Sequence, residues 1–253
     1  MAAGFTALVF VAAACSSAHS ANGSAATTTA DAAATTMPPT TAPPTTVAVT
    51  VAPTTPPPET PPTLTTTPVT DAQGHVTAVV TSVEGNGNAT IPLPPAVSLP
   101  AIVHAQYGGH AKFVVTNVDG FGKYLSILAQ SVGAYDGTFP LGFVDQHNDP
   151  TGGLTVATTG PWHLDIAGAG LAPALPAGGI SGRGDAVLSY TGPSARAQVS
   201  YPGTSTFTIE TFAGGTVNVL ASAVGPYHRS IALPAGPAFV SVTARGNWSI
   251  KLG

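Results

Sequence analysis

Charged side chains are scarce in this 253-residue chain, which has only 7 Lys and Arg and 11 Asp and Glu. The charged fraction is 7%, whereas an ordinary globular domain has about 25%. Without a basic surplus the chain cannot neutralise phosphates, which argues against nucleic-acid binding. The single cysteine excludes a disulfide framework within the chain and a zinc site built from cysteines.

Apolar runs long enough to cross a membrane are also missing from the printed sequence. The run from Phe5 to Ala14 has about ten residues, whereas a spanning helix needs about 20. A run of this length is typical of a signal peptide, and we expect residues 1–14 to be one. Signal peptides normally start with Lys or Arg, but the first basic residue is Lys112. We therefore expect translation to start upstream of Met1.

The only cysteine, Cys15, directly follows the small residues Ala12, Ala13 and Ala14. This segment resembles the lipobox of bacterial lipoproteins, although Ala12 stands where the lipobox usually has Leu or Val. The resemblance implies that Cys15 is acylated, becomes the mature N-terminus and anchors the chain in the cell membrane. The alternative is plain secretion after cleavage at the small residues, with Cys15 incidental.

Residues 15–70 have the composition of a tether. Residues 25–70 contain 18 Thr and 11 Pro, and only Asp31 and Glu59 are charged. Proline removes backbone donors, and the absence of apolar periodicity leaves no core to form. The sequence predicts a disordered spacer with polyproline-II character, which is also a candidate for O-glycosylation.

The rest of the chain contains an internal duplication. Residues 122–135 align with residues 214–227, residues 85–89 with residues 182–186, and the closing segment at Trp162 with that at Trp248. The repeat predicts a first domain over residues 71–167, a connector over 168–181 and a second domain over 182–253.

Apolar residues alternate with polar ones inside each repeat. In the closing segments, Trp162, Leu164 and Ile166 alternate with His163 and Asp165, and the second copy follows the same pattern. A period of two, interrupted by Gly, Pro, Asn and Asp, predicts an all-β fold of two tandem antiparallel β-sandwiches that are jelly-roll-like. Because both tryptophans fall on the apolar side, we expect them to be core residues; the alternative is a pair of sugar-stacking platforms.

Three short motifs occur in both copies: an aromatic strand, a Gly-Xaa-Tyr turn and a Gly-Xaa-Trp closing strand. The turns end at Tyr135 and Tyr227, and the closing strands start with Gly160-Pro-Trp162 and Gly246-Asn-Trp248. The pattern resembles repeated β-sandwich modules of exported actinobacterial proteins. The resemblance implies a fold and an extracytoplasmic location, but no chemistry.

Motifs for catalysis or cofactor binding are missing, so the sequence predicts a non-enzyme with no catalytic residues, no cofactor and no metal. The densest polar loop contains Asp145, His147, Asn148 and Asp149, which favours a solvated turn over a metal site. The tripeptide Arg183-Gly-Asp185 spells an adhesion motif. Its counterpart in the first copy is Asn86-Gly-Asn88, which favours a turn leading into a strand.

Together these features predict a non-catalytic cell-envelope lipoprotein that displays two β-sandwich modules for binding or structural roles at the cell surface. The expected partners are the membrane, through the lipid anchor, and either cell-wall polysaccharide or an envelope protein. The alternative is an accessory, carbohydrate-binding-like module that assists an extracellular hydrolase.

Overall fold

The chain was analysed as a computed structural model that describes residues 61–73, 75–143 and 149–253. The described residues form seventeen strands and one short 3-10 helix, Ala169–Leu171. The all-β prediction is therefore confirmed. In chain order the strands are β1 (Thr63–Thr70), β2 (Val76–Asn86), β3 (Ala89–Pro92), β4 (Ala101–Tyr107), β5 (Lys112–Val118), β6 (Tyr124–Val132), β7 (Tyr135–Leu141), β8 (Gly153–Ala157), β9 (Pro161–Gly168), β10 (Ile180–Arg183), β11 (Ala186–Tyr190), β12 (Ala195–Tyr201), β13 (Thr206–Ala213), β14 (Thr216–Val224), β15 (Tyr227–Leu233), β16 (Ala238–Ala244) and β17 (Asn247–Leu252).

Four antiparallel sheets divide these strands into two modules with the same topology. Module 1 (residues 63–168) has sheet 1a, ordered β1-β2-β9-β4-β7, and sheet 1b, ordered β3-β8-β5-β6. Module 2 (residues 180–252) has sheet 2a, ordered β10-β17-β12-β15, and sheet 2b, ordered β11-β16-β13-β14. Apart from β1, each strand of module 1 has its counterpart in module 2. This strand order is that of a jelly roll, in which two Greek keys form two sheets.

Each module encloses its own hydrophobic core, because the alternating apolar residues of its two sheets point toward each other. Trp162 and Trp248 are each only 3% exposed, so the prediction that they are core residues is confirmed. Each indole N–H donates a hydrogen bond to a turn carbonyl, Trp162 to Gly87 and Trp248 to Gly184, both at 2.8 Å. The tryptophans thus hold equivalent turns in the two copies.

A glycine lies beside each indole, and its lack of a side chain is what admits the ring. A Cβ atom at Gly85 would lie 2.2 Å from Cζ2 of Trp162, and one at Gly182 would lie 2.4 Å from Cζ2 of Trp248. The conformation of these strands does not require glycine, but the close approach of the ring does.

A stack of three aromatic rings is also duplicated. Tyr107 stacks on Phe113 with centroids 5.1 Å apart, and Tyr201 stacks on Phe207 at 4.8 Å. The third ring is Tyr135 in module 1 and Tyr227 in module 2. The shared aromatic residues of the repeat are therefore packing residues.

The domain boundaries differ from the sequence prediction at the N-terminal side of module 1. Residues 63–70 lie within the predicted tether, but they form β1, which pairs with β2 over all eight of its residues. The Thr/Pro composition predicted a spacer, but Thr favours strands and Pro68 is tolerated because β1 is an edge strand. The predicted tether therefore ends before Thr63 rather than at residue 70.

The predicted connector, residues 168–181, is itself paired with module 2. Its main chain runs beside β11: the Leu175 N–H donates to the Ser189 carbonyl, and the Ser189 N–H donates to the Pro173 carbonyl, both at 2.8 Å. β9 extends to Gly168 and β10 already begins at Ile180, so both ends of this segment belong to the sheets.

Three predictions concern residues outside the described part of the chain: the signal peptide over residues 1–14, acylation at Cys15, and the tether up to residue 60. The loop residues Asp145, His147 and Asn148 also lie outside it. Within the described ranges, no helix is long and apolar enough to span a membrane.

Candidate functional site: the cleft between the two modules

The two modules meet through both an apolar cluster and a polar joint. The apolar cluster joins Ile102 and Ala167 of module 1, Ala172 of the connector and Val187 of module 2. Phe143 extends it, because its ring lies 5.1 Å from that of Phe212 and 4.9 Å from that of Phe239. We call these residues the interface cluster. They fix one end of the contact between the modules.

The polar joint is the turn between β10 and β11, which lies against edge strand β7. The Thr138 N–H donates to the Asp185 carbonyl at 2.8 Å, so module 2 satisfies a donor on the free edge of module 1. Gly184 has a φ of +74°, and a Cβ atom there would lie 2.7 Å from the Asp136 carbonyl oxygen. The turn predicted at residues 183–185 is present, and it serves as the joint.

The Asp185 carboxylate accepts two hydrogen bonds, one from each module. Its Oδ1 accepts from the Ala244 N–H at 2.8 Å, and its Oδ2 accepts from the Tyr135 hydroxyl at 2.7 Å. The equivalent residue in module 1, Asn88, accepts only the first of these, from the Thr158 N–H at 3.0 Å. The hydrogen bond from Tyr135 is therefore specific to Asp185, and it couples module 2 to module 1.

Burial raises the pKa of Asp185 above its ordinary value, and the hydrogen bonds from Tyr135 and Ala244 only partly oppose that effect. Burial, followed by the nearby Asp185 charge, also raises the pKa of Tyr135 above its usual range. The phenol therefore stays neutral and can act as the donor to the carboxylate.

Next to this joint lies a cleft of about 1440 Å³. Its walls combine exposed aliphatic side chains, including Ile127, Val132 and Val224, with polar groups of both modules. The Arg245 guanidinium of module 2 donates to the Gln130 carbonyl on edge strand β6 at 2.8 Å, which links the two sides. Partly apolar walls with a few converging polar groups are features of a ligand-binding cleft.

One wall of the cleft continues onto the outer face of sheet 1a, where the strand register places polar side chains in two rows across four strands. The rows are Ser82, Asp165, His104 and Thr138, and Glu84, His163, Gln106 and Asp136. Ser82 Oγ donates to Asp165 Oδ1 at 2.5 Å, and Asp165 Oδ1 lies 3.0 Å from His163 Nε2. The sequence positions equivalent to His163 and Asp165 in module 2 are Ser249 and Lys251, so the fold does not require these rows.

His104 connects two residues that line the cleft. Its Nδ1 lies 3.2 Å from Thr138 Oγ1, and its Nε2 lies 3.4 Å from Asp136 Oδ1. The order hydroxyl, imidazole, carboxylate is that of a nucleophile, a base and its orienting group. Both contacts are long, and Asp136 is largely exposed, so solvent screens its charge. The geometry suits hydrogen bonding to a polar ligand better than activation of the threonine.

The polar loop that the sequence singled out contributes one described residue, Asp149. Its Oδ2 accepts from Lys123 Nζ at 2.6 Å, so it is paired with a cation on the solvent side. No group of three or more His, Cys, Asp or Glu in the described ranges is placed to hold a metal ion.

The alternation in the sequence placed His163 and Asp165 on the polar side of their strand, but it did not bring them together with His104 and Gln106. Alternation along one strand says which side a residue faces, whereas the register between strands decides its neighbours. One feature of the sequence could have revealed them. These four positions differ between the two copies, whereas the scaffold residues of the copies agree.

Comparison with known proteins identifies no relative. No protein-family model matches the sequence, and no curated protein matches it. Solved structures align only weakly. A conserved protein of unknown function from Pseudomonas aeruginosa has 8% identity and a TM-score of 0.22, with 75% of this chain and 88% of that chain covered. HutD from Pseudomonas fluorescens has 10% identity and a TM-score of 0.21, with 75% and 98% covered. A regulatory subunit of a cAMP-independent protein kinase A from Trypanosoma cruzi, bound to guanosine, has 9% identity and a TM-score of 0.21, with 68% and 72% covered. At these TM-scores the alignments carry no argument.

Proposed function

We propose that this chain is a non-catalytic cell-envelope lipoprotein that displays two β-sandwich modules and binds its partner in the cleft between them. The observation that carries the proposal is the cleft, which is lined by groups that the repeat does not require. His104, Gln106 and Asp136 offer hydrogen-bond donors and acceptors, and the aliphatic residues offer an apolar floor. Polar groups of this kind beside apolar surface suit a wall polysaccharide, or a polar segment of an envelope protein.

The accessory, carbohydrate-binding function is the second candidate, and the turn between β5 and β6 favours it. Phe121 is 98% exposed at this turn. The Asp119 carboxylate accepts from the N–H groups of Phe121 and Lys123, both at 2.8 Å, and so holds the turn in shape. Tyr124 is exposed close by. An exposed aromatic ring on a turn of defined shape is the kind of surface on which a sugar ring can stack.

The cleft proposal is tested by removing two of its polar groups. His104→Ala with Gln106→Ala in the full chain should weaken retention on an insoluble actinobacterial cell-wall fraction by about tenfold or more. The matched control is Gln198→Ala with Ser200→Ala, because these residues occupy the equivalent positions of module 2 and do not line the cleft. A co-sedimentation isotherm measures both.

Equal weakening by the two double variants, or no retention of the unaltered chain, would contradict binding in the cleft. The accessory alternative makes a different prediction in the same assay. Phe121→Ala should then abolish retention on polysaccharide while the cleft variant binds normally.

The envelope location is tested at Cys15. If this cysteine is acylated, the chain should fractionate with membranes, and its intact mass should exceed that of the polypeptide by the mass of the lipid. Cys15→Ser should move the chain into the soluble extracytoplasmic fraction, since one lost anchor removes stable membrane binding. An unchanged membrane fraction in this variant would contradict the anchor.

A further inference from the structure

The two sheets of each module leave eight strand edges in the described part of the chain. A free edge exposes backbone N–H and C=O groups, so proteins protect edges with charges, prolines, short strands or covering segments. Six of the eight are protected in one of these ways. They are β1 with Pro68, β3 with four residues and Pro92, β7 with Asp136 and Pro140, β10 with four residues and Arg183, β11 beside the connector, and β15 with Arg229.

The other two edges, β6 and β14, occupy equivalent positions in the two modules. Each has nine residues, and neither contains a charged residue or a proline. β6 is partly protected in other ways. Its pairing with β5 is interrupted by two register shifts, and Arg245 already donates to its Gln130 carbonyl. β14 has a single register shift in its pairing with β13, and no described strand lies on its outer side.

The hairpin that leads into β14 determines which of its backbone groups are free. β13 and β14 are joined by Gly214 and Gly215, both with positive φ, so Ala213 and Thr216 close a two-residue turn. In such a hairpin the closing pair exchanges hydrogen bonds, and every second pair after it does so too. Asn218 therefore bonds toward β13, whereas the N–H and C=O groups of Val217 and Val219 point away from the sheet.

The side chains of these two valines are exposed, 40% for Val217 and 60% for Val219. Val217 pairs with Phe212, whose ring contacts Phe143 in the interface cluster. The apolar surface that joins the two modules thus continues, through Phe212, to the free edge. A strand paired with β14 would therefore extend the apolar surface that the two modules already bury between them.

We propose that β14 is a docking edge for a second copy of this chain, which adds its own β14 antiparallel to form one continuous sheet. The sequence around Asn218 is symmetrical, with a valine on each side. When the strand pairs with itself about a two-fold axis at Asn218, Val217 of each copy faces Val219 of the other. Such an isologous contact is closed, so it stops at a dimer. β14 contains no charged residue that could select a strand of another protein. The symmetry of its sequence therefore favours a second copy of the same strand as the partner.

The test uses the full chain with Cys15→Ser, and sedimentation equilibrium from about 1 to about 500 μM. The unaltered edge should give a dimer in concentration-dependent equilibrium with a monomer. Val219→Lys places a charge on the free edge and should raise the dissociation constant by at least about tenfold. The matched control is Ile127→Lys, which makes the same change at the equivalent exposed position of β6 and should leave the dimer intact.

A disulfide test checks the geometry without relying on a loss of association. In the same Cys15→Ser chain, Asn218→Cys should give a covalent dimer on mild oxidation, whereas Ser126→Cys, its equivalent on β6, should give no covalent dimer. A chain that is monomeric at every concentration overturns the proposal. It is equally overturned if Ile127→Lys dissociates the dimer and Val219→Lys does not, or if the crosslink forms only at position 126. The cell-wall assay above is independent of these outcomes.

Discussion

Replacing Trp248 with alanine should lower the free energy of unfolding of module 2 by about 3–5 kcal/mol. The indole is 3% exposed, and it lies against Gly182, where no side chain could fill the space it would leave. Trp248→Phe keeps part of the packing and should cost less. It also removes the N–H that donates to the Gly184 carbonyl. Urea unfolding followed by circular dichroism measures the loss in both variants, because this signal does not depend on either tryptophan.

Trp162 offers the matched comparison in module 1. Its replacement by alanine should cost a similar amount in that module, because its burial and its hydrogen bond are the same. The consequences for the joint should differ. Trp248 holds the Gly184 turn that contacts β7, whereas Trp162 holds the Gly87 turn, which belongs to module 1 alone.

Amide hydrogen exchange at Thr138 reports this difference directly. The Thr138 N–H donates to the Asp185 carbonyl, next to the turn that Trp248 holds. Trp248→Phe should accelerate exchange at Thr138, and Trp162→Phe should leave it unchanged. If Trp162→Phe accelerates this exchange equally, the Gly184 turn does not control the joint.

Much of the scaffold could be predicted from the sequence because it depends on local pattern and on repetition. The alternation in β9 and β17 identified buried faces, and the two copies confirmed each other at every shared aromatic residue. Trp162 and Trp248 were placed in the core for this reason. A residue that recurs at the same point of two independent copies is constrained by the fold they share.

The first strand could not be predicted by the same reasoning. β1 has the composition of the tether before it, and it has no counterpart in module 2 that would reveal it. Its stability comes from pairing with β2, which is a tertiary contact rather than a property of the segment. Composition therefore placed the boundary eight residues too late.

The cleft escaped prediction because it belongs to neither copy. It depends on how β6 and β7 of module 1 lie against Asp185 and Arg245 of module 2. Residues that contact the other module differ between the two repeats. In the sequence, such differences cannot be told from substitutions without structural effect. Asp185 is one of these residues. The tripeptide Arg183-Gly-Asp185 predicted the turn, but nothing in the sequence indicated the hydrogen bond to Tyr135, which has no equivalent at Asn88.

Replacing Asp185 with alanine should therefore have the second large effect. The Ala244 N–H and the Tyr135 hydroxyl would both lose their acceptor, and an unsatisfied buried donor costs about 1–3 kcal/mol. Asn88→Ala is the matched control, because it leaves only the Thr158 N–H without its partner. The difference between the two losses of unfolding free energy isolates the bond between the modules.

Asp185→Asn removes the charge and keeps one of the two acceptor oxygens. Burial raises the pKa of Asp185 in the folded chain above its ordinary value near 3.8. Between these two values the folded chain holds a proton that the unfolded chain has released, so the stability contributed by this group falls as pH rises through that interval. Below the ordinary value both states are protonated, and the contribution is fully present.

Asparagine keeps the acceptor for the Ala244 N–H and has no charge to desolvate. Relative to the unaltered chain, Asp185→Asn should therefore gain stability as pH rises from 3.8 through the raised pKa, and it should keep that gain at neutral pH. Urea midpoints at a series of pH values measure the difference. A variant whose stability runs parallel to that of the unaltered chain would show that Asp185 ionises as freely in the fold as outside it. The carboxylate would then not be the buried link that joins the two modules.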